Sequence, residues 1–70
     1  MRIECPQVLD DASGRKLLDH AIEQTRTNGT AITLDFSKTE SIDARGAAWI
    51  VAVADYAHGK ELRFAWEGQR

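Results

Sequence analysis

Cysteine occurs once, at Cys5, so the chain can build neither an internal disulfide nor a cysteine-only zinc site, and a reducing compartment is its natural setting. A lone thiol of this kind reads as a buried or idle group. Proline also occurs once, and Pro6 confines any strand before it to an edge or ends it. Basic residues are not in excess: nine Lys and Arg face eleven Asp and Glu for a formal net charge of −2. That balance leaves no cationic surface for phosphates and sets nucleic-acid binding aside. Long apolar runs are missing too. Ala47–Ala54 is far too short to span a bilayer, and Met1–Asp10 carries Arg2, Glu4 and Pro6 where a signal peptide has its apolar segment. A cytoplasmic protein is expected, with any membrane association made through a partner.

The residues of catalysis are equally sparse. His20 and His58 fall on different segments and read as exposed polar residues, and no His, Asp and Glu group has metal-site spacing. No glycine-rich loop is followed by lysine, so no phosphate cradle is marked. Asp35, Glu40 and Asp43 cluster around one turn, where solvated carboxylates are the plain reading. The sequence therefore points away from an enzyme, a metal and a cofactor.

Seventy residues make a single domain, 1–70, that buries only about 60% of the surface its unfolded chain exposes. The elements follow from periodicity. Arg2–Cys5 alternates as a short strand, and Val8 and Leu9 extend it irregularly. Asp10, Asp11 and Ser13 are candidate caps for a first helix whose apolar stripe is Leu18, Ala21, Ile22 and Thr25, with Leu17 flanking and Asn28-Gly29 as the stop. Ala31–Phe36 alternates with Ile32, Leu34 and Phe36 on one face. A polar loop follows, broken only by Ile42, and then a second, strongly apolar helix ending at Gly59 as its C-cap. Glu61–Trp66 closes the set, with Leu62, Phe64 and Trp66 on one face. The fold class is α/β, in the order β-α-β-α-β, with a mainly parallel sheet and two helices. So few strands leave open sheet edges, and self-association is expected.

At Leu34-Asp35-Phe36-Ser37 and Ile42-Asp43-Ala44-Arg45-Gly46 the chain resembles the STAS family, the fold of bacterial anti-sigma-factor antagonists, over roughly Val8 to Trp66. In that family an L-D-L/F-S strand leads to a D-S-S/T-G turn at the head of a helix, and a glycine ends the helix before the next strand. Leu34–Ser37, Asp43, Gly46 and Gly59 fit. The resemblance implies a STAS-like domain that lacks the family's usual C-terminal helix and has little room for its further strand before the first helix. It also implies a switch that phosphorylation cannot operate, since Ala44 and Arg45 stand where the family places its hydroxyl.

The candidate site is the turn Asp43, Ala44, Arg45 and Gly46 together with a flank of helix two. Asp43 is suited to capping the helix, while Arg45 in the first turn opposes the helix dipole by ~0.3–1 kcal/mol unless it meets an acid. Along the helix, Ala47, Ile50, Ala54 and Ala57, with Val51 beside them, form a stripe for the sheet, and Trp49, Val53 and Tyr56 form a second. That second stripe either packs on helix one or a sheet edge, or is an exposed contact surface beside Arg45. The functional expectation is a non-catalytic protein-interaction module, with Asp43, Ala44, Arg45, Gly46, Trp49, Val53 and Tyr56 as partner-binding residues. Its partner would be a kinase-like anti-sigma factor. The alternatives are an accessory STAS subunit bound to the ATPase of a phospholipid-transport ABC system, and a sensor domain for a nucleotide or small ligand.

Overall fold

The computed structural model describes residues 1–26, 29 and 31–68. Its elements run β1 (Arg2–Glu4), β2 (Val8–Leu9), α1 (Asp11–Thr25), β3 (Ala31–Asp35), β4 (Ser41–Ile42), α2 (Ala44–Gly59) and β5 (Arg63–Glu67). Strands β1, β3 and β5 form a three-stranded sheet in that order, parallel throughout, with Ile3 beside Leu34 and Leu34 beside Trp66. The α/β class and the β-α-β-α-β order expected from the sequence are present. Each helix follows one strand and precedes the next, and the two helices pack on each other.

The core lies between the sheet and these helices. Ile3, Ile32 and Leu34 fill it from the strands, Phe36 from just beyond β3, and Leu17, Ala21, Val53 and Ala57 from the helices. Asp10 starts α1 through a reciprocal cap: its carboxylate accepts from the Ser13 N–H at 3.0 Å, and the Ser13 hydroxyl accepts from the Asp10 N–H at 2.9 Å. The buried stripe of α1 is Gly14, Leu17, Ala21 and Thr25, so Leu18 and Ile22 sit half-buried at its margin. The expected stop at Asn28-Gly29 falls partly outside the described residues, since Asn28 lies beyond them. Gly59 is not the C-cap of α2. It is the last helical residue, Lys60 caps, and Glu61 takes the left-handed conformation with φ 58°.

A second, two-stranded sheet was not expected. Parallel strands β2 and β4 set Val8 beside Ser41 and Leu9 beside Ile42. The Glu40 N–H donates to the Gln7 carbonyl at 2.8 Å, the Asp43 N–H to that of Leu9 at 3.1 Å, and the Thr39 hydroxyl to that of Pro6 at 2.8 Å. This clip ties the loop before α2 to the segment before α1. It also supplies a short further strand ahead of the first helix, for which the sequence had left little room.

The sheet face turned away from the helices carries an ion network. Buried Asp35 accepts from the Ser37 N–H at 2.9 Å and from the Arg2 guanidinium at 3.0 Å, and Arg2 also pairs with Glu67. The Ser37 bonds first, and Arg2 second, hold the Asp35 carboxyl at about 2. A carboxyl lowered in the folded state stabilises fully above its unfolded value of about 4, and this contribution is lost as pH falls toward the folded value. Thermal midpoints taken from pH ~5 to ~2 should therefore fall more steeply for the parent chain than for Asp35→Asn. Equal slopes would remove Asp35 from the acid sensitivity.

Candidate partner-binding site at the head of helix two

The turn into α2 is built by a side chain and a missing side chain. Asp43 has extended backbone, φ −90° and ψ 179°, and its carboxylate accepts from the Gly46 N–H at 2.7 Å, which satisfies one of the free donors of the first turn. Gly46 is buried against β2. A Cβ there would collide with the Leu9 carbonyl, lying 2.6 Å from its carbon and 3.2 Å from the Asp10 nitrogen. Ala44 and Arg45, between them, are both exposed, and Arg45 makes no ion pair among the described residues.

The flank Trp49, Val53 and Tyr56 is not an open surface, and the expectation of partner contacts along it is corrected here. Val53 is fully buried between the helices and sheet. Trp49 lies over Gly14, where a Cβ would sit 2.6 Å from the Trp49 Cβ, and its indole N–H donates to Asp11 at 2.7 Å. The Tyr56 hydroxyl lies 2.8 Å from that of Thr25. Because the Thr25 proton is directed at the Ala21 carbonyl, 2.7 Å away, Tyr56 supplies the proton of that bond. These three side chains fasten α2 to α1, the packing alternative of the sequence reading.

The exposed apolar surface lies on the other side of the turn. Ile42 is 45% exposed, Val51 59% and Trp66 53%, and Ile50 is half-buried. Ile42, Ile50 and Trp66 join Phe36, Thr39, Glu40, Ser41 and Gly68 around a groove of ≈ 660 Å³. It opens beyond the carboxyl ends of β3 and β5, the end of a parallel sheet where ligands and partners commonly bind. Of the expected residues, Asp43, Ala44 and Arg45 are exposed at the turn and Gly46 serves as its buried pivot. Ile42, Ile50 and Trp66 are the additions. Trp66 and Ile50 carried core periodicity, which says which face a residue takes and not whether anything covers it.

Other candidate chemistry stays dispersed. The Cys5 thiol is buried and pushed up to about 11, first by that burial and then by the Asp35 charge, so it holds little thiolate near neutral pH. His20 and His58 are exposed on separate helices. Among the described residues no group of three or more His, Cys, Asp or Glu is placed to hold a metal ion, and no helix is long and apolar enough to cross a membrane. No family model, no curated protein and no solved structure matches the chain.

Proposed function

We propose that the chain is a non-catalytic protein-interaction module of STAS type, contacting its partner through Arg45, Ile42 and the adjoining groove. The observation that carries this reading is Arg45, an exposed cation without an ion pair among the described residues, in the first turn of a helix beside a partly exposed Ile42. Its charge opposes the helix dipole by ~0.3–1 kcal/mol, which a carboxylate on a partner would offset. The matching surface is a carboxylate flanked by an apolar side chain that enters between Ile42, Ile50 and Trp66.

A kinase-like anti-sigma factor is the partner this reading favours, and the association would be constitutive. Ala44 and Arg45 have no hydroxyl to phosphorylate, and the Thr39 hydroxyl is turned inward to the Pro6 carbonyl. Ser37 and Ser41 remain exposed in the loop. Mixed with such a kinase and ATP, the chain should keep its mass by intact-mass spectrometry while the complex persists. Stoichiometric phosphate on Ser37 or Ser41, with release of the partner, would overturn the constitutive reading. The ATPase of a phospholipid-transport ABC system is the alternative partner for the same surface.

The groove favours one further reading, a sensor for a small apolar ligand, because its volume lies within the range of ligand pockets, about 300–1,000 Å³. Glu40 in its lining weighs against nucleotide phosphates. A thermal-shift series with fatty acids, GTP and ATP separates these, since a ligand bound only by the folded chain raises the midpoint.

A further inference from the structure

We propose that two copies of this chain associate through β5, paired antiparallel about a two-fold axis at Ala65. Strand β5 ends the order β1-β3-β5, and among the described residues no strand pairs with its outer edge. The Phe36 N–H donates to the Glu67 carbonyl at 2.9 Å, so Glu67, and with it Ala65 and Arg63, turns its backbone groups toward β3. Phe64 and Trp66 present theirs to the free edge.

The strand reads Arg63-Phe64-Ala65-Trp66-Glu67. Reversed on itself about Ala65, it sets Arg63 opposite Glu67 of the second copy and Phe64 opposite its Trp66, each pair occurring twice by symmetry. Phe64 and Trp66, whose N–H and C=O groups are free, become the pairs that exchange backbone hydrogen bonds. Arg63 with Glu67, and Ala65 with Ala65, take the closer non-hydrogen-bonded positions, where opposite charges attract most and a small residue fits at the axis. An axis perpendicular to the sheet keeps the aromatic residues of both copies on the helix side. There the Phe64 and Trp66 rings of one copy, with centroids 5.9 Å apart, continue into those of the other and cover Trp66. A shift of two residues in either direction loses both charge pairs.

The opposite edge is less suited. Strand β1 is three residues long, and both of its charges are engaged, Arg2 by Asp35 and Glu67 and Glu4 by Lys38 at 3.1 Å, whereas on β5 Glu67 meets Arg2 through Oε1 and keeps Oε2 for Arg63 of the second copy. Arg63, by contrast, makes no ion pair among the described residues. The dimer joins two three-stranded sheets into one and engages Trp66, which also lines the groove of the partner reading, but it is measured on the isolated chain, so its failure is distinguishable from failure of that reading.

Sedimentation equilibrium over a hundredfold dilution should show a monomer–dimer equilibrium. Arg63→Glu turns two cross-strand attractions into repulsions and should raise the dissociation constant roughly tenfold or more. The double variant Arg63→Glu/Glu67→Arg should recover part of that loss, since exchanging Glu67 also gives up its pair with Arg2, and so should an equimolar mixture of Arg63→Glu and Glu67→Arg chains. Ala65→Cys gives an independent readout, because the paired Cα atoms would lie about 4.5 Å apart, within disulfide reach. Oxidation should link this variant into a dimer, and Ala47→Cys on the exposed side of α2 should stay unlinked. A parent chain that remains monomeric, a dimer indifferent to Arg63→Glu, a double variant no better than the single, or an Ala65→Cys chain that does not cross-link overturns the pairing.

Discussion

Gly46→Ala should lower the stability of the domain by about 2–3 kcal/mol, although alanine is the better helix former by up to ~1 kcal/mol. The added methyl would overlap the Leu9 carbonyl, a backbone group that cannot rotate aside. Relief requires α2 to withdraw from β2, which lengthens the Asp43-to-Leu9 bond and opens the β2–β4 clip. In a domain this small each kcal/mol is worth roughly 4–8 °C, so the midpoint should fall by about 10–20 °C. Thermal or urea unfolding measures it. A midpoint within a few degrees of the parent would mean that α2 does not rest on β2 at this position.

Trp49→Ala should cost about 2–3 kcal/mol, less than the ~3–5 kcal/mol of a fully buried tryptophan because the ring is only half-buried. It removes the indole from the face of Gly14 and its bond to Asp11, both of which hold α1 to α2. Trp49→Phe keeps most of the packing and loses the hydrogen bond, so its cost should stay near ~1 kcal/mol. At temperatures where both variants remain folded, partner affinity per folded molecule should match the parent. An alanine variant with an unchanged melting curve and weakened binding would make Trp49 a contact residue instead of a strut.

Much of this arrangement is legible in the residues. The alternation of Ile32, Leu34 and Phe36 marks β3 and its buried face, and Asp43 followed by Gly46 marks the head of α2 with its cap. Other features leave no periodic trace. Ser41–Ile42 is too short to alternate, and it is a strand only because Val8–Leu9 lies beside it. The stripe of α1 includes Ala21 and Thr25 as expected but turns toward Gly14 and Leu17 in place of Leu18 and Ile22, because Gly14, having no side chain to mark it as apolar, makes room for Trp49. For the same reason the second stripe of α2 could be read in two ways, since periodicity gives Trp49, Val53 and Tyr56 a common face and says nothing of what meets it. At the end of α2, glycine suggested a left-handed stop at Gly59, yet Glu61 takes that conformation. Trp66 shows the limit most plainly: its strand face was legible, but its exposure depends on which described elements reach the end of β5.

The claim that the partner docks at the head of α2 and in the adjoining groove is tested most directly by titrating the isotopically labelled chain with a kinase-like anti-sigma factor, and in parallel with an ABC ATPase, while following its amide signals. With one of them, shifts should concentrate at Ile42, Ala44, Arg45, Ile50 and Gly68, and Arg45→Glu should weaken the association at least tenfold while leaving the melting midpoint within a few degrees. Shifts confined to the outer face of α1, unaltered binding by Arg45→Glu, or no association with either protein would contradict the account.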